Sequence, residues 1–369
     1  MFAKNTKKNT AGQITNVICN SAKQGLIPQR EYFDKDIANS DSTSGYYIIE
    51  ENDFVYNPRK SADAPYGPIS SYKYPEAGIV SPLYLCFRAT QEINPLYFEW
   101  YFRSSAWHRY IYMTGDSGAR HDRVSIKDDI FFAMPINVPA PEEQERIASF
   151  LDGIEQRIEK QRSFVEALKK YKRGLLFFTF EEMTITDDAD STTYLFSEIA
   201  QRRKEKYSPE CGVEYPCIEL EHIEQTTGKI LGSVSSAAQS SIKTVAKAGD
   251  ILFGKLRPYL RKFAFAEQDM VCSSEVWAFI PSDAVLPKFL YYLVQTEHFL
   301  RVANISSGTK MPRAEWANIE KEPFDIPCLV VQEKIVAIIE AIDKRICAAG
   351  DALSALSRLK DGLLQQLFI

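Results

Sequence analysis

A long internal repeat constrains the fold of this chain more than any other feature. Residues 138–180 align without a gap on residues 326–368, at a shift of 188 positions. A solenoid repeats every ~20–50 residues, so a period of this size indicates two duplicated domains. A length of 369 residues predicts about two domains as well. Matching pairs include Pro139/Pro327, Gln144/Gln332, Glu145/Glu333, Lys172/Lys360 and Gly174/Gly362.

Each copy of the repeat predicts a long helix with a coiled-coil seam. Apolar residues follow one another at alternating steps of four and three, which is the spacing of such a seam. The seam is interrupted at the same two places in both copies, and such interruptions set register and partner choice. We expect each helix to run about 35 residues, or about 50 Å. The seam comprises Ile147, Leu151, Ile154, Ile158 and Val165 with Ile335, Ile339, Ile342 and Ile346, and its interruptions are Gln161/Ala349 and Lys172/Lys360.

The two remaining segments match each other weakly and are rich in strand-forming residues. GIVSPLYLCF (78–87) corresponds to MVCSSEVWAF (270–279), and GARHDR (118–123) corresponds to GTKMPR (308–313). The acidic stretch EEMTITDDADSTT (181–193) reads as a linker. The sequence thus predicts an α+β chain of four parts. They are a globular domain at 1–137, a helix at 138–180, a linker and second globular domain at 181–325, and a helix at 326–369.

The string GDILFGKL (249–256) nearly matches the phosphate-binding pattern G-x-x-x-x-G-K-[ST]. Leu256 replaces the hydroxyl that would bind magnesium, and the equivalent stretch ENDFVYNPRK (51–60) has asparagines where the glycines stand. A phosphate loop needs those glycine amides. We therefore interpret the string as a strand that leads into a basic turn. An enzyme that uses this string is a less favoured alternative.

Basic residues follow the strand in both copies. Between 243 and 262 there are six basic residues and one acidic residue, although the whole chain carries a formal charge of -5. Arginine can bind guanine or phosphate, while lysine and tyrosine position the DNA backbone. A solvated surface remains the alternative. The candidate DNA-binding residues are Arg59, Lys60, Arg120, His121, Arg123, Lys255, Arg257, Tyr259, Arg261, Lys262, Lys310 and Arg313.

The sequence offers no clear catalytic or metal site. The histidines and the seven cysteines are scattered, without the spacing of a zinc site or a catalytic set. The string Asn94-Pro95-Leu96-Tyr97 lacks the second proline of the adenine methyltransferase motif, so we interpret it as the start of a helix. Aromatic runs such as YFEWYF and YYLVQTEHFL fit a core better than a base-stacking surface. No apolar run is long enough to span a membrane and no signal peptide is evident, so we expect a cytoplasmic protein.

Several of these motifs resemble the specificity subunits of type I restriction-modification systems. They are P-x-P-x-E-Q-x-x-I at 139–147, the K-x-G-L-L helix ending, GDILFGKLRPYLRK, the SSE string at 273–275, and YNP and GIVSPLY in the first half. The resemblance implies two target recognition domains, joined and closed by two long antiparallel helices with pseudo-two-fold symmetry. Each domain would read one half of a split double-stranded DNA target. It also implies that Ser273 and Ser274 lie near the DNA.

The resemblance implies a subunit that is not itself catalytic. Two methyltransferase subunits would dock on the helices, with restriction and translocase subunits added. S-adenosylmethionine, ATP and magnesium would be bound by those partners and not by this chain. The alternative is a coiled-coil scaffold whose globular domains bind proteins.

Two departures from the family pattern stand out. No counterpart of LFSEI precedes Phe2, so the first recognition domain is expected to be shortened at its N-terminus. In the second helix, Leu329 and Val330 replace Pro141 and Glu142, which weakens its cap.

Overall fold

The computed structural model describes residues 1–32, 43–117, 122–182, 191–305 and 311–368. The chain forms two compact units, and each combines one globular segment with parts of both long helices. Unit 1 comprises Met1–Arg162 and Asp351–Ile369, and unit 2 comprises Ser163–Gly350.

Unit 1 contains ten strands and four short helices besides parts of two long ones, counted over its described residues. The strands are β1 (Phe2–Lys4), β2 (Ile18–Ser21), β3 (Gly25–Pro28), β4 (Tyr47–Ile49), β5 (Phe54–Tyr56), β6 (Ile69–Ser71), β7 (Gly78–Val80), β8 (Leu85–Ala89), β9 (Asp116–Ser117) and β10 (Val124–Ser125). The helices are α1 (Gln29–Tyr32), α2 (Pro95–Arg103), α3 (His108–Thr114), α4 (Asp128–Phe132) and the first part of α5 (Pro141–Phe177), with the last part of α10 (Leu329–Leu367).

An antiparallel sheet in the order β1-β8-β5-β6 forms the centre of unit 1. Its inward face is aromatic, and Phe54 and Phe87 stack with ring centroids 5.5 Å apart. Helix α2 covers this face with a run of aromatic residues that are buried from Tyr97 to Phe102. These rings therefore build the core, in agreement with the interpretation of YFEWYF as core.

Unit 2 has eleven strands in its described residues. They are β11 (Ser191–Leu195), β12 (Ala200–Arg202), β13 (Lys206–Tyr207), β14 (Pro216–Ile218), β15 (Val234–Ser235), β16 (Lys243–Ala246), β17 (Ile251–Gly254), β18 (Phe263–Phe265), β19 (Met270–Cys272), β20 (Val276–Pro281) and β21 (Pro323–Pro327). Its helices are α6 (Phe196–Ile199), α7 (Pro287–Leu293), α8 (Glu297–Ala303) and α9 (Trp316–Ile319), with the last part of α5, which continues into a π-helical turn at Phe178–Glu182, and the first part of α10.

The central sheet of unit 2 has the order β12-β20-β17-β18 and repeats the central sheet of unit 1 strand for strand. A second sheet has the order β13-β16-β19-β14-β15. The near match to a phosphate loop lies in the central strand β17, so its interpretation as a strand is confirmed. Unit 2 also contains the antiparallel pair β11 and β21, whereas residues 134–140 of unit 1 form no strand.

The two predicted long helices are present and slightly longer than expected, at 37 residues for α5 and 39 for α10. In unit 1, Glu155 of α5 pairs with Lys360 of α10, and Ile147 packs in the same cluster as Leu367. Positions fall along one helix as they rise along the other, so the helices are antiparallel. In unit 2 the same direction follows from Lys172 with Asp343 and from Leu176 in the cluster of Ile339.

The repeated glutamine near each helix start has one role in both copies. The side-chain amide of Gln144 donates to the carbonyl of Pro139 at 2.9 Å, and that of Gln332 donates to Pro327 at 2.9 Å. Both glutamines are buried. Each closes the turn that connects a globular segment to its long helix, which explains why both copies place a glutamine five residues after a proline.

Candidate nucleic-acid interface

A buried aspartate anchors the central strand in each unit. Asp53 accepts two hydrogen bonds from Arg88, at 2.5 and 2.8 Å, and Asp250 accepts two from Arg203, at 2.6 and 2.9 Å. Both carboxylates are almost fully buried. A buried carboxylate is tolerated when it is paired and hydrogen-bonded in this way.

The residue before each of these aspartates has a left-handed backbone. The φ angle is +68° at Asn52 and +93° at Gly249. Asparagine and glycine are the residues that adopt this conformation most readily. Gly249 of the apparent phosphate loop is therefore needed for a turn, and Asn52 makes the same turn in the other unit.

The far end of each central strand is joined to a predicted arginine. In unit 1, Arg59 and Arg123 lie opposite each other in an isolated antiparallel bridge, and the amide of Lys60 donates to the carbonyl of Asp122 at 2.8 Å. In unit 2, Leu256 and Arg313 form the same bridge. The structure thus brings together residues that are more than 50 positions apart, and it does so at matching positions of the two units.

The basic turn of unit 2 contains two residues with strained backbone angles, and a hydrogen bond helps to fix it. A short 3₁₀ turn at Pro258–Leu260 is flanked by Arg257 and Arg261, with φ angles of +52° and +51°. Such angles are costly in a residue with a side chain and persist only where the surroundings fix them. Here the amide of Arg257 donates to the carbonyl of Pro312 at 2.8 Å. Between the two arginines, Tyr259 is exposed.

Half of the six basic side chains at 243–262 pair with carboxylates in the folded chain. These three pair with glutamates from other segments, and a fourth side chain donates to a backbone carbonyl. The contacts are Lys243 with Glu219 at 2.5 Å, Lys247 with Glu205 at 3.8 Å, Arg261 with Glu297 at 2.7 Å, and Lys262 with the carbonyl of Leu220 at 2.6 Å. The positive charge that this run leaves for a ligand is therefore smaller than the sequence alone indicates. Within the described part of the chain, the side chains of Lys255 and Arg257 pair with no other group.

The SSE string forms a turn beside Lys255. The Lys255 amide donates to the carbonyl of Glu275 at 2.9 Å. Ser273 is buried and its hydroxyl accepts from the amide of Glu275, so its visible role is to shape the turn, whereas Ser274 is exposed. The guanidinium of Arg313 donates to both carboxylate oxygens of Glu275, at 3.1 and 3.2 Å, which raises the pKa of Arg313.

The interface of unit 1 includes a tyrosine that sequence reasoning missed. Burial raises the pKa of Tyr84, and the nearby charges of Arg59 and Arg123 act in the opposite direction. Tyr84 also directly precedes Leu85, which pairs with Tyr56 at the end of β5 that leads to Arg59. Arg59 is exposed, while Lys60 and Arg123 are half-buried. The only sequence signal for Tyr84 was its place in the GIVSPLY string.

The remaining predictions divide into two groups. Arg120, His121 and Lys310 lie outside the described residues. Asn94 caps helix α2, because its side-chain oxygen accepts from the amide of Tyr97 at 3.0 Å. The interpretation of NPLY as a helix start is therefore confirmed.

The described residues were also surveyed for metal sites and membrane helices. Among them, no three potential ligands from histidine, cysteine, aspartate and glutamate lie together in a way that could hold a metal ion. None of the described helices combines the length and the apolar character that crossing a bilayer requires.

Comparison with known proteins supports the resemblance noted in the sequence. Residues 193–350 match the type I restriction modification DNA specificity domain. The chain is 24% identical to the type I restriction enzyme EcoDI specificity subunit of Escherichia coli over 279 residues, which are 63% of this chain and 61% of that protein. It is 29% identical to the HindI specificity subunit of Haemophilus influenzae over 135 residues, 34% of this chain and 29% of that protein. The matched region thus spans less than two thirds of either relative.

Two solved structures share the fold over nearly the whole chain. One, from a study of complex assembly and conformational transition in the type I R-M system, has a TM-score of 0.62 at 17% identity and covers 100% of this chain and 97% of its own. The HsdS subunit of Thermoanaerobacter tengcongensis has a TM-score of 0.51 at 17% identity and covers 99% and 93%. Residues 193–350 therefore match the type I restriction modification DNA specificity domain, and the chain has the fold of these two solved structures.

Proposed function

We propose that this chain is the non-catalytic DNA-recognition subunit of a type I restriction-modification complex. Each unit reads one half of a split double-stranded DNA target. Methylation and ATP-driven steps belong to partner subunits, which bind S-adenosylmethionine, ATP and magnesium, and we place the complex in the cytoplasm.

One observation carries this proposal. In both units, the segment after the central strand forms a backbone bridge to an arginine. The bridges are Arg59 with Arg123 in unit 1 and Leu256 with Arg313 in unit 2. A duplicated basic site of this kind suits a target with two separate specific parts. Lys255 and Arg257, whose side chains pair with no described group, supply donors for phosphates or base edges.

The long helices supply surfaces for the proposed methyltransferase subunits. A folded protein rarely exposes many large apolar side chains on one element unless they serve an interface. Helices α5 and α10 carry several that are more than 40% exposed: Phe150, Phe164, Tyr171, Ile338 and Leu359.

The decisive experiment is to co-express the chain with its methyltransferase subunit and to map methylated adenines across the genome of the host. We expect one split motif, with two specific parts separated by unspecified bases. The double variant Arg59→Ala/Arg123→Ala should degrade the part read by unit 1 and leave the other part intact. An undivided motif, or methylation that does not depend on this chain, would contradict the proposal.

The salt dependence of DNA binding distinguishes the proposed function from the scaffold alternative. Binding that depends on phosphates weakens steeply as the salt concentration rises, whereas a protein-binding scaffold has no such dependence for DNA. We expect a steep dependence for duplex DNA.

A further inference from the structure

A serine-closed turn occupies the same place in both units, but it presents chemically opposite side chains. In unit 1 the amide of Tyr84 donates to the carbonyl of Ser81 at 3.0 Å, and in unit 2 the amide of Val276 donates to Ser273 at 3.0 Å. The serine hydroxyls also accept from equivalent amides, at 3.3 Å and 3.2 Å. These amides belong to Leu83 and Glu275, so the two residues are structural counterparts.

Both counterparts lie beside the basic residues of their own unit. The carbonyl of Glu275 accepts from the amide of Lys255, and its carboxylate is held by Arg313. Leu83 lies two residues before Leu85, which pairs with Tyr56 at the end of β5 that leads to Arg59. The turn is therefore part of each candidate interface.

Neither side chain suits contact with phosphate. A carboxylate repels phosphates. Leu83 is 58% exposed, and its apolar side chain has no donor for a phosphate and is not stabilised by contact with water. Both are suited to base edges in the major groove, where a carboxylate accepts from the amino group of cytosine and an apolar side chain contacts the methyl group of thymine.

The two hydrogen bonds from Arg313 to Glu275 leave other N–H donors of the guanidinium available for DNA. The carboxylate engages the Nε and Nη2 atoms. A guanidinium has five N–H donors, so the Nη1 donors and the second Nη2 donor remain for the O6 and N7 atoms of a guanine. Glu275 thus fixes the plane of Arg313 and adds a neighbouring acceptor.

We infer that this turn position determines base specificity in both units. Glu275 and Arg313 together read a G·C base pair in the half-site of unit 2. Leu83 contacts a thymine methyl group in the half-site of unit 1. This inference rests on the proposed function and adds which residues choose the bases.

The test uses the full chain, purified with its co-expressed methyltransferase subunits, and a pool of random-sequence duplex DNA. Enrichment by the unaltered complex defines the two half-sites. Glu275→Gln should lower the preference for G·C over A·T at one position of one half-site by about 5- to 100-fold. Glu322→Gln, which removes the partner of His298 outside the candidate interface, should leave the motif unchanged and serves as the matched control.

The Leu83 contact is tested with duplexes in which single thymines of the other half-site are replaced by deoxyuridine. Loss of one methyl group in apolar contact should weaken binding about fourfold at one position. Leu83→Ala should abolish that difference, while Leu231→Ala, at an equally exposed leucine outside both candidate interfaces, should retain it. Thermal unfolding of each variant checks that the fold is intact.

The outcomes distinguish the inference from the proposed function. If the unaltered complex enriches no motif, the proposed function fails and the inference with it. If a split motif is enriched but Glu275→Gln and Leu83→Ala leave every base preference unchanged, or weaken all DNA equally, the inference alone is overturned.

Discussion

The ammonium group of Lys172 lies 2.7 Å from the carboxylate of Asp343, and this side chain of Lys172 is only 9% exposed. The hydroxyl of Tyr292 donates to the same carboxylate at 3.0 Å. At the repeat-related position, Lys360 lies 2.8 Å from Glu155. Glu155 and Asp343 are themselves separated by the repeat shift of 188. The lysines that interrupt the apolar seams are therefore half of a duplicated ion pair that fixes the antiparallel register.

Lys172→Met is expected to destabilise unit 2 by about 1–3 kcal/mol, because it leaves the Asp343 carboxylate without its cation. Burial lowers the pKa of Lys172, so the ammonium needs this partner. The measurement is urea unfolding of the full chain. Lys169→Met, which removes an exposed pair with Glu166, should cost less than about 1 kcal/mol. Equal losses for the two variants would show that the cross-helix pair has no special role.

Arg257→Ala is expected to weaken binding of the complex to all duplex DNA and to reduce the slope of log affinity against log salt by about 1. The reason is that Arg257 is exposed and pairs with no other described side chain. Lys247→Ala is the control, because Glu205 lies near this ammonium group. An unchanged slope for Arg257→Ala would show that Arg257 does not contact a phosphate.

Gly249→Ala is expected to cost about 1–2 kcal/mol in the free energy of unfolding, because φ at this position is +93°. Nothing lies within 4 Å of the added Cβ, so the loss comes from the backbone conformation alone. Gly249→Asn should cost less, since Asn52 makes the equivalent turn. Gly232→Ala, also in open space but without a positive φ, provides the control. Chemical denaturation that ranks alanine and asparagine equally at 249 would refute this account.

Alkaline pH is expected to destabilise unit 1 through Cys86. Burial raises the pKa of this thiol to about 12, from an ordinary value of 9.0. The folded state therefore holds the proton that the unfolded state releases, so stability falls as the pH rises between about 9 and about 12. Cys86→Ala should flatten the fall of Tm with pH in this window. Cys328→Ala, at an exposed position, should leave the fall as steep as before.

The sequence predicted the features that depend on local pattern. The heptad spacing anticipated helices α5 and α10, and the comparison of Gly249 with Asn52 anticipated a turn and strand in place of a phosphate loop. It did not anticipate the charge of the interface. Lys243, Lys247 and Arg261 are neighbours in sequence, but the glutamates that neutralise them come from three other segments and meet them only after folding.

The position shared by Leu83 and Glu275 was also beyond local pattern. Both residues were visible in the aligned strings, yet their importance depends on what lies across the interface. Arg313 is 38 residues from Glu275 in the chain, and the pairing of Leu256 with Arg313 brings it there. Contacts between residues this far apart in the chain leave no periodic signal in a single sequence.

The division of the long helices between the units has a consequence for synthesis on the ribosome. Phe368 is buried against Tyr97 and Tyr101, with ring centroids 5.4 and 5.9 Å away. The core of unit 1 therefore stays incomplete until residues 351–368 have left the ribosome, after every residue of unit 2 has been made. The unit that is begun first is finished last, so a nascent or truncated chain presents an unfilled aromatic core while unit 2 already has all of its residues.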